Sequence, residues 1–88
     1  MDRKARIESA LTAAFQPHRL DVNDESALHA GHAGARDGGQ THYEVVMVSA
    51  AFSGLGRLAR SRAVHEVLAN EFAGGLHALS LKLRAPDE

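Results

Sequence analysis

Apolar residues recur with two different periods along this chain, and the switch between them limits the folds open to it. Ile7, Ala10, Leu11, Ala14 and Phe15 stand at i, i+3, i+4, i+7 and i+8, one stripe of a helix over residues 3–15. Asp2 is placed to cap that helix, and Pro17 stops it by pushing Gln16 out of helical geometry. The period then falls to two. Arg19-Leu20-Asp21-Val22-Asn23 alternates as a short strand. Residues 41–50 form a second, with Tyr43, Val45 and Met47 on one face and Glu44, Val46 and Val48 on the other.

Between these strands, residues 26–40 hold four glycines, four alanines and two histidines without a period, and read as a long loop. After Phe52-Ser53-Gly54-Leu55-Gly56, a turn, the helical period returns. Leu55, Leu58 and Ala59 fit one short helical turn, and Ser61 is placed to cap a further helix carrying Val64, Val67, Leu68 and Phe72. Gly74-Gly75 ends it, because glycine accepts the left-handed backbone found after helix C-termini. A last strand over 76–83 sets His77, Leu79, Leu81 and Leu83 on one face, with a partial desolvation of His77 expected there. The resulting order is helix, strand, strand, short helix, helix, strand. Two layers, with helices on one face of a three-stranded sheet, would bury every stripe.

With 88 residues, the chain is expected to be one domain, 1–88, without internal repeat. A domain of this size buries only about 60–65% of its unfolded surface, too little to wall a deep active-site cavity. No nucleophile-elbow or phosphate-loop motif is present, so an enzyme is not expected. Ten basic and eleven acidic residues give a formal net charge of −1, without the basic excess usual in dedicated nucleic-acid binders. No apolar run approaches the roughly 20 residues of a membrane span. A soluble, cytoplasmic protein, monomeric when free, is the expectation. The absence of cysteine removes disulfides, a cysteine nucleophile and thiolate ligands, while six histidines leave imidazole as the metal-binding group at hand.

Several segments carry a more specific likeness. Val22-Asn23-Asp24-Glu25-Ser26 followed by His29-Ala30, Thr41-His42-Tyr43 leading into 45–49, Phe52-Ser53-Gly54 with Arg60 and Arg62, and His77-Ala78-Leu79-Ser80 together resemble the BolA family, over about residues 7–86. The chain departs from the family pattern in placing Ser61 between Arg60 and Arg62 where histidine is frequent, and Tyr43 where phenylalanine is usual. The resemblance implies an α/β (α+β) fold of the type II KH-like kind, ordered αββααβ, with a three-stranded mixed sheet and helices packed on one face. It also implies an adaptor that binds a monothiol glutaredoxin and shares a two-iron two-sulfur cluster with it and glutathione. A KH-like DNA-binding transcriptional regulator is the alternative.

On that likeness His77 is the first metal-ligand candidate, His29 the second and His32 its reserve. His42, inside a strand, is expected to make a cross-strand contact or hydrogen bond instead, and His18 and His65 to lie on the surface. Arg57, Arg60 and Arg62 gather positive charge at one helix start, suited to an acidic partner surface or, weakly, to a DNA backbone. The Gly-x-x-Gly loop with which KH domains clamp nucleic acid has no clear counterpart.

Overall fold

The structure is a computed structural model that describes residues 2–25 and 41–88. Helix α1 spans Arg3–Phe15. Asp2 caps it, its carboxylate accepting the Ala5 N–H at 2.9 Å. At the other end Gln16 turns left-handed (φ 45°, ψ 57°) ahead of Pro17 and donates its N–H to Thr12 O. Strand β1 (Arg19–Asp24) and strand β2 (His42–Val48) follow. A 3-10 turn over Ala50–Phe52 leads to α2 (Arg57–Val67), α3 (Ala69–Ala73) and strand β3 (Ala78–Arg84).

Two helices do lie between β2 and β3, but their division differs from the one expected at Ser61. The extended backbone of Gly56 (ψ 170°) starts α2, which runs unbroken through Ser61. Nothing in the run 57–67 breaks a helix, since it lacks both glycine and proline. The interruption comes at Leu68 (φ −97°, ψ 13°), and it swings α3 so that Glu71 reaches α1. Gly75 then takes a positive φ of 122°, which a side chain would resist, and the chain turns into β3.

The sheet has the order β1-β2-β3. The first pair is antiparallel, with Val22 opposite Val45. The second is parallel, with His42 opposite Ala78 and Val45 opposite Leu81. A parallel pair requires a crossover, and α2 with α3 supply it. The helices cover the face made by Leu20, Val22, Tyr43, Val45, Met47, Leu79, Leu81 and Leu83. Ile7 and Leu11 of α1, Phe52, and Val64 and Leu68 of the crossover close the core from above. Ala14, at the margin of the α1 stripe, is exposed. On the open face Lys82 pairs with Glu44 at 3.4 Å and Arg19 with Asp21 at 2.7 Å.

Two polar contacts fasten α1 to the rest. Ser49 is fully buried; its hydroxyl donates to Phe15 O at 2.7 Å and accepts the Ala51 N–H, tying the helix end to the end of β2. At the other end Glu71 accepts from Arg3 Nε (3.0 Å) and Arg6 Nε (2.9 Å), while Arg3 also donates to Gly74 O. Hydrogen bonds from Arg6, foremost, and from Arg3 hold the Glu71 carboxyl below its usual range. Tyr43 shows the opposite situation. It is buried, and its hydroxyl makes no hydrogen bond among the described residues. Burial first, and then the charge of Asp24, push the phenol up to about 12.

These contacts yield two stability outcomes of opposite sign in urea denaturation. Glu71→Ala leaves the largely buried Arg3 without its carboxylate and should lower stability by about 1–3 kcal/mol. Tyr43→Phe removes a buried oxygen that has no hydrogen-bond partner among the described residues, and should raise stability by about 1 kcal/mol. A Tyr43→Phe protein less stable than its parent would show that the hydroxyl is satisfied after all.

Candidate functional site

The starts of β2 and β3 lie side by side because those strands run parallel and in register. Two histidines meet there. The rings of His42 and His77 are 5.4 Å apart between centroids and inclined at 53°. His42 is buried, at 7% exposure, and its Nδ1 lies 2.8 Å from the hydroxyl of Thr41. His77 stands one residue before β3 and is exposed. It is therefore not desolvated among the leucines as its alternation with Leu79 suggested. The reason is its place ahead of the strand, where the helix-covered face has ended.

Thr41 organises both. It is 1% exposed, and its carbonyl accepts the His77 N–H at 2.8 Å and the Ala78 N–H at 3.0 Å. One residue thus fixes the backbone of His77 and the ring of His42. On the far side of His42, its own carbonyl accepts the Glu25 N–H, joining the end of β1 to the same corner. A small cleft of about 200 Å³ opens beside it, lined by Glu25, His42, Tyr43, Ala78, Leu79 and Ser80.

His42 makes the hydrogen bond and the cross-strand contact expected of it; what the sequence did not disclose is that the contact is His77. His29 and His32 lie outside the described residues. His18 and His65 are both exposed. The His65 ring stacks on Phe72 at 5.2 Å, with its Nδ1 2.8 Å from the carbonyl of Ser61. Among the described residues no group of three or more metal-ligating side chains assembles. The histidine pair is therefore a partial donor set, of the nitrogen type that suits borderline transition metals.

The arginines sit elsewhere. A groove of about 960 Å³ runs between α2 and β3, lined by Leu55, Arg57, Arg60, His65, Leu81 and Leu83, among others. Arg57 and Arg62 are exposed. Arg60 is engaged inside the chain, with both terminal nitrogens on the Glu88 carboxylate at 2.6 Å and Nε on Leu55 O at 2.8 Å. Its guanidinium also lies 6.0 Å from the Phe52 ring centroid. Sequence spacing grouped the three arginines; it could not show that Glu88 returns to occupy the middle one.

Fold and corner together define a small α+β domain of αββααβ order, with a histidine pair at one end of the sheet and a basic groove along its edge. The chain belongs to the BolA family: the family model for BolA-like protein matches residues 11–88. A Sinorhizobium sp protein described as an uncharacterized protein in the cobS 5′ region is 47% identical over 93% of this chain and 89% of its own length. The mouse BolA-like protein 1 is 40% identical over 94% of this chain, which spans 58% of that protein. SufE-like protein 1, chloroplastic/mitochondrial, of Arabidopsis thaliana is 40% identical over 98% of this chain, which spans 24% of it. The solved BolA domain of that plant SufE1 superposes with a TM-score of 0.90 at 37% identity, covering 99% of this chain and 95% of the domain. The three-stranded mixed sheet with its helices is thus shared with solved BolA domains. No helix among the described residues is long and apolar enough to cross a membrane.

The Arg60–Glu88 contact carries its own pH signature. The Arg60 guanidinium, first, and the Ala85 N–H hold the Glu88 carboxyl down at about 2. A depressed carboxylate stabilises the fold above the unfolded value near 4.5 and loses that contribution as pH falls toward 2. Titration by NMR should therefore show the Ala85 amide and the Arg60 terminal (Nη) N–H signals moving together, with a midpoint well below pH 4. A midpoint at 4 or above, or no change in the Arg60 signal, would mean that the clasp is not closed in solution.

Proposed function

We propose that this chain is an adaptor that docks a monothiol glutaredoxin and shares a two-iron two-sulfur cluster with it. The observation that carries this reading is His77, an exposed imidazole held at a strand start by the buried carbonyl of Thr41, in a BolA-family chain without cysteine. The cluster supplies the redox and cargo chemistry. This chain, having no thiolate, can offer only nitrogen or oxygen ligands, so the sulfur ligands come from the glutaredoxin cysteine and glutathione. His77 is the first ligand on this side, with His29, or His32 in its place, as the loop ligand expected from family likeness. The exposed Arg57 and Arg84 lining the groove, with Arg62 also exposed on α2, suit an acidic partner surface. Arg60 is held by Glu88, so it could meet a DNA backbone only by giving up that contact.

Reconstitution with a monothiol glutaredoxin, glutathione, iron and sulfide tests the reading by visible circular dichroism. The mixed complex should show a spectrum that neither protein gives alone, and His77→Ala should abolish it while far-ultraviolet spectra stay unchanged. Because its ring is exposed, losing it costs the core nothing. A folded His77→Ala protein with the full cluster signal, or an isolated chain that purifies with stoichiometric iron and sulfide, would sink the shared-ligand reading.

A further inference from the structure

The corner where β2 and β3 begin holds a second imidazole that neither family likeness nor the expected loop ligands account for. We infer that His42 and His77 together form a two-imidazole site that binds one borderline divalent transition-metal ion on the isolated chain. This deepens the reading above by naming the second nitrogen of the same site, and its test requires no glutaredoxin, so the two can fail separately.

Distance is the first ground. With metal–nitrogen bonds of about 2.0–2.1 Å and a ring radius of about 1.2 Å, two imidazoles on one tetrahedral ion have centroids about 5 Å apart. The observed separation is 5.4 Å, close to that spacing. Plain ring contacts span a wider range, about 4.5–7 Å, so distance alone is not enough.

Orientation is the second, independent ground. A metal-bound histidine commonly donates its other ring N–H to an oxygen, which fixes the tautomer and ring plane. The hydroxyl of Thr41, 2.8 Å from His42 Nδ1 and buried, is such an oxygen. When Nδ1–H donates to it, the ring lone pair lies on Nε2, the atom that would ligate. The carbonyl of the same Thr41 holds the His77 backbone. The ring of His42 and the backbone of His77 are therefore both fixed by one buried residue, which lessens the ordering left to do on binding.

Two nitrogens leave a four-coordinate ion two open positions. Water fills them in the isolated chain, and ligands from a docked protein can replace it. The pair makes a holding site of modest strength that becomes complete only in a complex.

Zinc chloride titrated into the chain carrying His29→Ala and His32→Ala gives the cleanest test, because the loop histidines cannot contribute. Calorimetry should find one bound ion per chain. Long-range proton–nitrogen spectra should show Nε2 of His42 shifting on zinc addition, while the rings of His18 and His65 stay put. His42→Phe keeps an aromatic ring against His77 but removes the nitrogen, and should weaken zinc binding by about 10–100-fold. Should that variant fail to fold, His77→Ala, at an exposed position, serves instead: zinc should no longer move the His42 ring. Absence of binding in the His29→Ala, His32→Ala background, or equal affinity in a folded His42→Phe protein, would overturn the assignment.

Discussion

Parallel pairing of β2 with β3 is the constraint on which the rest of this molecule depends. Had the last strand run the other way, His77 would emerge beside Val48, at the end of the sheet remote from His42. In the observed register His42 stands opposite Ala78, and both strands begin at the same end. A parallel neighbour cannot be reached by a tight turn, so the chain must spend α2 and α3 on the return. Those helices then cover the Tyr43, Val45 and Met47 face that would otherwise be open. Core, crossover and histidine corner therefore follow from one topological choice. Thr41 locks it, its buried carbonyl taking two amides from the start of the incoming strand.

That choice also sets the limit of what the sequence reveals. Local signals are legible wherever they are short in range: the α1 stripe, its Asp2 cap and its end before Pro17 are all found where periodicity and backbone sterics put them. Alternation identifies β2 and β3 and the faces of their residues equally well. Alternation is the same for either strand direction, however, so direction was available only through likeness to a family. The meeting of His42 and His77, two residues 35 positions apart in the chain, depends on that direction and was not legible. Ser61 shows a different limit. A serine can cap a helix or stand within one, and the extended Gly56 just upstream decided the matter. Glu88 shows a third, since a carboxylate distant in sequence from every arginine of α2 gives no hint of which one it will meet.

Five of the ten basic side chains form ion pairs among the described residues. Arg3 and Arg6 converge on Glu71, Arg60 on Glu88, Arg19 on Asp21 and Lys82 on Glu44. The exposed pairs among these contribute little individually, but they remove cations from the surface field. With a formal net charge of −1, the cations exposed on α2 and at the end of β3 are Arg57, Arg62 and Arg84, and Leu55 and Leu58 of the same region are 39% and 63% exposed. An apolar patch rimmed by a few cations is a protein-docking chemistry, in which burial of the leucines supplies affinity and charge supplies orientation. Phosphate backbones reward the opposite arrangement, many cations in a row with no need of apolar contact.

The division between the two ends of the sheet bears on how a shared metal would be handled. Thiolates make tight, charge-compensated clusters that are slow to leave, whereas neutral imidazoles add no charge and bind borderline metals less strongly. A chain without cysteine whose two imidazoles lie side by side would hold its side of such a site without completing it. Rigidity matters to that role. Loop ligands must be ordered at the moment of binding, which costs affinity and slows capture. A His42 ring hydrogen-bonded to a buried threonine hydroxyl and a His77 backbone held by the same threonine's carbonyl would need less of that ordering. On this view the docking surface and the ligand pair are separate devices on one sheet, one choosing the partner and the other presenting the nitrogen atoms.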